Sequence, residues 1–236
     1  MGQGELAYID VAGRTIAYRW RSGKDATLVF LPGYASDMEG TKALALDAFA
    51  EVHGLAMLRF DYSGTGSSGG PFEDGTLALW LEEALALVDR LTSAPLILVG
   101  SSMGGWLALH LALLRPERLR ALVGIAAAPD FTDWGFADAA SAEGQGLARG
   151  FWQSGQQLLL LDQVIALDCP VRLLHGERDE EVPLEIAFRT LRALRSGDVQ
   201  LTIFKGGGHR LSAPHEIEAI LRTIAALIDQ PLEAAS

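Results

Sequence analysis

A serine, an aspartate and a histidine follow three separate apolar runs of the chain, in an order that suits nucleophilic catalysis. Ser102 stands in Gly100–Gly104, which matches the G-x-S-x-G pattern of a nucleophile elbow. Asp179 and His209 follow it along the chain. A serine hydroxyl is a poor nucleophile until a base takes its proton, and an acid must orient that base. These residue types therefore predict acyl transfer at a Ser–His–Asp triad.

The elbow pattern occurs twice, because Gly66–Gly70 matches it around Ser68 as well. An elbow needs a strand directly before the serine and a helix directly after it. The apolar run Leu96–Val99 precedes Ser102, and a helical pattern follows from Trp106. Ser68 has no such run immediately before it, and several residues delay the next helix. We therefore predict Ser102 as the nucleophile and Ser68 as a loop residue.

The acid of the triad is predicted from its position after a strand. Asp179 follows the apolar run Val171–Leu174, at the carboxyl end of a strand, where open α/β sheets keep their sites. It also lies shortly before Val182 and Pro183, which lead into the next predicted helix. Three neighbouring carboxylates compete for the role: Glu177, Glu180 and Glu181.

The base is predicted in the same way. His209 stands after three glycines that follow the predicted strand Val199–Phe204, and before the last predicted helix. A solvent-exposed loop histidine without a catalytic role is the alternative. The other four histidines lie on helical segments or at element ends, where packing or capping is the simpler interpretation: His53, His110, His175 and His215.

Acyl transfer also needs hydrogen-bond donors for the developing oxyanion. The backbone N–H of Met103 follows the nucleophile and lies at the positive end of the next helix. The second donor should come from the loop after the predicted strand Thr27–Leu31, and we assign it to the backbone N–H of Tyr34. The alternative is that Pro32 and Gly33 form only a turn.

No cofactor or metal is expected. Gly64–Gly69 matches the G-x-G-x-x-G pattern of dinucleotide sites after the predicted strand Leu55–Phe60. Those glycines must open a helix directly, and here several residues separate them from the next helical segment. The single cysteine, Cys169, and the five scattered histidines form no cluster with the spacing of zinc ligands.

The arrangement of apolar runs predicts one α/β domain over residues 1–236, with a mostly parallel twisted sheet and helices on both faces. An N-terminal hairpin over Tyr8–Trp20 comes first, and strand-length runs then alternate with helical segments. The runs not yet named include Leu119–Ala126, and the helical segments are Lys42–Val52, Leu77–Leu91, Trp106–Leu114, Leu184–Arg195 and His215–Ile228.

Residues of about 130–167 break this alternation and predict a short helical cap. The segment places aromatic residues among glycines and alanines. We expect the cap, together with Trp106, to line an apolar acyl pocket, although most such aromatics simply fill a core. The candidate substrate contacts are Trp106, Trp134, Phe151 and Trp152.

The composition disfavours several classes of ligand. The chain has 236 residues, of which 30 are acidic and 19 basic, with a formal net charge of −11. Such a field repels nucleic acid and anionic lipid headgroups. The uncharged stretch Leu91–Leu114 is long enough to cross a bilayer, but Pro95 and several glycines interrupt it. No secretory or transit signal is recognisable, so we expect a cytoplasmic protein.

Several strings together resemble one subgroup of the α/β-hydrolase superfamily, the palmitoyl-protein thioesterases also described as mycophenolic acid acyl-glucuronide esterases. The strings are Leu31–Tyr34, Gly40–Leu44, Arg59–Gly64, Val99–Leu107, Cys169–Gly176 and His209–Arg210. The resemblance implies an α/β-hydrolase fold with a short cap and cofactor-free cleavage of acyl esters or thioesters. The cap differs from that of the animal proteins, so a general carboxylesterase or an acyl-glucuronide esterase remains an alternative. A ligand-binding protein on the same scaffold is the non-enzymatic alternative.

Overall fold

Eight strands form one sheet in the computed structural model, which describes residues 4–229. In spatial order the sheet runs β1-β2-β4-β3-β5-β6-β7-β8. Strand β2 pairs antiparallel with β1 and β4, and the remaining neighbours pair parallel. The strands are β1 (Leu6–Val11), β2 (Arg14–Arg21), β3 (Lys24–Leu31), β4 (Leu55–Phe60), β5 (Leu96–Ser101), β6 (Leu119–Ile125), β7 (Val171–Gly176) and β8 (Val199–Phe204).

Helices cover both faces of this sheet, as predicted. Helices α1 and α8 pack on one face, whereas α2, α3 and α7 pack on the other. The helices are α1 (Thr41–His53), α2 (Leu77–Leu91), α3 (Met103–Leu114), α4 (Phe131–Trp134), α5 (Ala139–Gly144), α6 (Phe151–Gln156), α7 (Leu184–Ala193) and α8 (Pro214–Asp229). The α/β class inferred from the alternating pattern is therefore confirmed.

Strand β5 shows why its run of apolar residues forms a strand that is buried on both sides. Leu96 and Leu98 pack into the core on one face of the sheet, and Ile97 and Val99 pack into the core on the other. All four side chains are buried. A parallel sheet covered on both faces needs apolar residues at successive positions, because successive side chains point to opposite faces. The strand thus delivers its carboxyl end, and Ser102 after it, to a fixed point.

Residues 130–167, after β6, contain the three short helices α4, α5 and α6. We call this segment the cap, and its role in covering a substrate stays a prediction. Asp130 precedes α4, is almost fully buried and has a left-handed backbone, with φ of 59°. Its carboxylate accepts hydrogen bonds from the backbone N–H groups of Leu160 (2.9 and 3.0 Å) and Leu161 (2.7 Å). One buried carboxylate therefore joins the beginning of this segment to the part that follows α6.

Candidate active site

Ser102 lies at the turn between β5 and α3. Its backbone has φ of 54° and ψ of −123°, a conformation that costs an L-residue free energy and persists only where surrounding contacts hold it. Its N–H donates to the carbonyl of Ile125 at 2.9 Å, and its carbonyl accepts from the N–H of Ala128 at 3.0 Å. Strand β6 and the loop after it therefore hold the strained turn in place.

Two glycines allow the chain to make this turn. A Cβ atom on Gly100 would lie 2.3 Å from the carbonyl oxygen of Gly104, and one on Gly104 would lie 2.0 Å from that of Leu31. Real Cβ atoms do not approach backbone oxygens so closely. The glycines of the elbow pattern are thus required by the approach of α3 to the ends of β5 and β3.

Ser102, His209 and Asp179 form a chain of hydrogen bonds. His209 Nε2 lies 3.0 Å from Ser102 Oγ, and His209 Nδ1 lies 2.9 Å from Asp179 Oδ2. The imidazole is thus placed to take a proton from the hydroxyl through one nitrogen while the carboxylate orients it through the other. The structure brings these three sequence-predicted residues together.

The Asp179 side chain is fully buried, and it is well supplied with donors. Its Oδ1 accepts from the backbone N–H groups of Val182 at 2.8 Å and Glu181 at 3.0 Å. Burial raises the pKa of this carboxyl, but the hydrogen bonds from His209, Val182 and Glu181 outweigh that effect and lower the pKa below its ordinary value. Asp179 is therefore held in the ionised form that orients an imidazole.

The neighbouring carboxylates are placed differently. Glu177 accepts from the backbone N–H of Gly206 at 2.9 Å and pairs with Lys205, so it ties the loop after β7 to the loop after β8. Glu180 is exposed to solvent. Glu181 Oε2 lies 3.6 Å from His209 Nε2, on the nitrogen that faces Ser102 rather than the one that faces Asp179.

Two backbone N–H groups beside Ser102 have no acceptor among residues 4–229. They belong to Met103, the first residue of α3, and to Tyr34, in the loop after β3. Gly33 brings this loop against the nucleophile, because a Cβ atom on it would lie 3.3 Å from Ser102 Cβ. The assignment of these two amides to an oxyanion hole stays a prediction that this arrangement supports.

The second elbow pattern has a different local setting. Ser68 Oγ donates to the carbonyl of Asp61 at 2.7 Å and accepts from the N–H of Ala17 at 2.8 Å. The N–H of Ser67 donates to the Asp61 carboxylate, around which Gly66 turns. This glycine-rich loop wraps a buried carboxylate and does not open a helix, so it lacks the geometry of a dinucleotide site.

The four aromatic residues expected to contact substrate have different degrees of burial. Trp106 and Phe151 are fully buried, and Trp106 Nε1 donates to the carbonyl of Leu158 at 3.0 Å. Trp134 and Trp152 are partly exposed. In this structure Trp106 and Phe151 are core residues, so acyl contact by them would require the cap to move and stays a prediction.

Tyr34 also contacts the cap through its side chain, a role that the sequence analysis did not assign. Its hydroxyl accepts from the backbone N–H of Ala148 at 2.5 Å and donates to the carbonyl of Gly146 at 3.3 Å. Its ring packs edge-on against Phe72 and Phe151. The residue that offers a candidate oxyanion amide therefore also fastens the cap.

Lys42, in helix α1, contacts the loop that carries His209. Its Nζ donates to the carbonyl of Arg210 at 2.5 Å, so α1 holds the residue after His209. The neighbouring Leu211 is buried with φ of 43°, a backbone strain that needs such support. The string Gly40–Leu44 contains Lys42, but nothing in it identifies Arg210 as the partner.

The structure has one hollow beside the loop after β3 and another in the cap. One, of about 250 Å³, lies between residues 35–37 after β3 and residues 64–66 after β4. The other, of about 120 Å³, lies in the cap beside Trp152, whose indole N–H is buried and has no acceptor in residues 4–229.

Among residues 4–229, no three His, Cys, Asp or Glu side chains are grouped to hold a metal ion. No helix within these residues is long and apolar enough to span a membrane.

Comparison with known proteins shows the family to which the chain belongs. The family profile described as alpha/beta hydrolase fold matches residues 26–145. Human palmitoyl-protein thioesterase ABHD10, mitochondrial, is 38% identical over an alignment 235 residues long, and the match covers 91% of this chain and 77% of the relative. The chain belongs to the α/β hydrolase family.

Two solved structures superpose closely on this one. Mouse alpha/beta hydrolase domain-containing protein 10 has a TM-score of 0.89 and 35% identity, covering 96% of this chain and 99% of that one. A putative hydrolase from Agrobacterium vitis S4 has a TM-score of 0.88 and 36% identity, covering 95% and 99%. The resemblance inferred from the sequence is confirmed. The cytoplasmic location stays a prediction, since the human relative is named as mitochondrial.

Proposed function

We propose that this α/β hydrolase cleaves acyl thioesters and esters through an acyl-enzyme on Ser102. The observation that carries the proposal is the chain of hydrogen bonds from Asp179 through His209 to Ser102, at 2.9 and 3.0 Å. A ligand-binding protein on this scaffold has no need of such a chain. The name of the human relative, a palmitoyl-protein thioesterase, supports the thioester part of the proposal.

The first half of the reaction forms the acyl-enzyme. Ser102 Oγ attacks the acyl carbonyl while His209 Nε2 takes its proton, and ionised Asp179 stabilises the resulting imidazolium. The N–H groups of Tyr34 and Met103 receive the oxyanion, each such donor contributing about 3 kcal/mol. The tetrahedral adduct then collapses, the bond to the leaving sulfur or oxygen breaks, and the imidazolium returns the proton to the leaving group.

The second half reverses the roles with water as the nucleophile. His209 Nε2 takes a proton from water, the hydroxide attacks the acyl carbonyl, and Ser102 leaves with the proton that the imidazolium returns. The products are the free acid and the leaving thiol or alcohol. Ser102, His209, water and the leaving group account for every proton transferred, while Asp179 and the two backbone amides stabilise charge, so we propose a cofactor-free reaction.

We propose that residues 130–167 act as a cap that sets acyl preference. The segment packs aromatic side chains next to the oxyanion loop, with Phe151 and Phe131 centred 5.2 and 6.4 Å from Tyr34. An acyl chain enters this aromatic cluster when the cap moves, and it then buries its methylenes, each worth roughly 0.8 kcal/mol. We therefore expect kcat/KM to rise about 4-fold for each added methylene until the space is filled.

A series of matched substrates tests this function. The rate of hydrolysis is measured for acyl thioesters and for p-nitrophenyl esters from acetyl to palmitoyl. The proposal predicts cleavage of both kinds, with kcat/KM rising towards medium or long chains. A steady decline beyond acetyl would indicate a small-ester carboxylesterase, and the absence of thioester cleavage would overturn the thioesterase part.

A further inference from the structure

The Glu181 carboxylate lies next to His209 Nε2, the atom that gives its proton to the leaving group in the proposed reaction. Its Oε2 lies 3.6 Å from His209 Nε2, and Nε2 is also the atom that lies 3.0 Å from Ser102 Oγ. The Glu181 side chain is 70% exposed, whereas the Asp179 side chain on the other nitrogen is fully buried. The imidazole is thus flanked by two carboxylates, and only that of Glu181 is open to an approaching substrate.

The leaving atom must come close to this carboxylate. A leaving sulfur or oxygen takes its proton from Nε2, which requires an approach of about 3 Å. It therefore comes within about 7 Å of Glu181 Oε2, since that oxygen is 3.6 Å from Nε2. The Debye length at physiological ionic strength is about 8 Å, so salt does not remove the interaction.

The cations next to the triad in sequence do not neutralise this charge. Lys42 donates to the carbonyl of Arg210. Burial lowers the pKa of Lys42, the Glu216 carboxylate raises it, and the Arg210 guanidinium lowers it. The Arg178 guanidinium acts on Glu177, whose pKa the Gly206 N–H, Lys205 and Arg178 lower. No lysine or arginine of residues 4–229 forms an ion pair with Glu181.

We propose that Glu181 is a specificity-determining residue that favours cationic or neutral leaving groups over anionic ones. This inference rests on the proposed hydrolase function and narrows its substrate class. A thioester on a cysteine flanked by basic residues fits this site. A thiol or alcohol that carries phosphate or carboxylate groups brings like charge to Glu181, and the chain's formal net charge of −11 adds to that repulsion.

Leaving groups of different charge on one acyl chain test the proposal. S-octanoyl thiocholine is cationic, S-octanoyl 2-mercaptoethanol is neutral and S-octanoyl 3-mercaptopropionate is anionic. The ratio of kcat/KM for the cationic to the anionic substrate is measured for the wild type and for Glu181→Gln. Dividing the two ratios cancels the intrinsic reactivity of each thioester. Glu180→Gln, a neighbouring exposed carboxylate without a contact to His209, is the matched control.

The cationic and the anionic leaving group differ by two units of charge. For each of these units, Glu181→Gln should lower the cation-to-anion ratio of kcat/KM about 3- to 10-fold, and the effect should shrink in 1 M NaCl. Glu180→Gln should leave the ratio within about 2-fold. A ratio that Glu181→Gln leaves within 2-fold, or changes no more than Glu180→Gln does, overturns the role of Glu181. If only oxygen esters are cleaved, the thioesterase part of the function fails. Octanoyl esters of a cationic, a neutral and an anionic alcohol then test Glu181 in the same way. No turnover of either series overturns both.

Discussion

Lys42 holds the backbone of Arg210 across 168 residues of sequence, with Nζ 2.5 Å from the carbonyl oxygen. Arg210 directly follows His209, so this contact fixes the loop that carries the proposed base. Errors of about 1 Å in the position of a catalytic group can cost about 100-fold in rate. The contact therefore makes Lys42 a positioning residue on a helix that carries no member of the triad.

Removing the Lys42 donor should lower kcat. Lys42→Met keeps the apolar stem but loses the hydrogen bond, and we expect kcat to fall about 10- to 100-fold with KM changed less than about 3-fold. Lys42→Arg should restore part of the loss, because it can donate to the same carbonyl. Lys205→Met, at a lysine whose side chain is 92% exposed, is the control and should stay within 2-fold. An unchanged kcat in Lys42→Met would remove the positioning role.

The identity of the triad acid gives a second prediction. Asp179→Asn should reduce kcat by up to about 10⁴-fold, because the amide no longer stabilises the imidazolium and favours the wrong tautomer. Glu177→Gln, which weakens a contact between two loops, should be far milder. Steady-state kinetics on one neutral ester decides between them. A larger loss in Glu177→Gln than in Asp179→Asn would reassign the acid.

The same carboxylate gives the fold a dependence on pH. The pKa of Asp179 is lower in the folded chain than its ordinary value, because its hydrogen bonds outweigh the effect of burial. Ionised Asp179 therefore stabilises the fold above a pH of about 4, and this contribution is lost as the pH falls through the lowered pKa. Urea unfolding at pH 5 and pH 3 should show a smaller difference between wild type and Asp179→Asn at the lower pH. A difference that grows on acidification would contradict the lowered pKa.

The Tyr34 hydroxyl should stabilise the cap. Tyr34→Phe keeps the ring in its aromatic surroundings but leaves the N–H of Ala148 without its acceptor. We expect the free energy of unfolding to fall by about 1 to 3 kcal/mol. Hydrogen exchange at residues 146–148 should accelerate. Tyr8→Phe, at a residue that is 54% exposed, is the control. Exchange at residues 146–148 that matches the wild type would show that other contacts hold the cap.

The elements that carry the triad could be predicted because their signals are local. The run Leu96–Val99 before an elbow pattern indicates a buried strand and a tight turn, and the structure has β5 and the strained Ser102 there. The contacts of Lys42 and Glu181 could not be predicted, because each joins residues from different parts of the fold. Nothing in the residues around Lys42 specifies Arg210 as its partner.

Burial explains why the sequence could not show whether Trp106 lines a pocket or fills the core. Helix α3 is buried on nearly all sides, so its apolar sequence has no exposed face, and Trp106 could be assigned to a pocket as readily as to the core. In the structure it packs against Phe131 and donates to Leu158. The cap helices are only four to six residues long, too short for a helical period to specify their ends.

The most direct test of the account is to locate the nucleophile by covalent labelling. The protein is treated with a fluorophosphonate, and intact mass followed by peptide mapping identifies the modified residue. We predict one adduct, on Ser102, that is absent in Ser102→Ala together with a loss of turnover on the order of 10⁶-fold. Ser68→Ala should label and turn over like the wild type, since its hydroxyl only bridges Asp61 and Ala17. Labelling that survives in Ser102→Ala and disappears in Ser68→Ala would contradict the account.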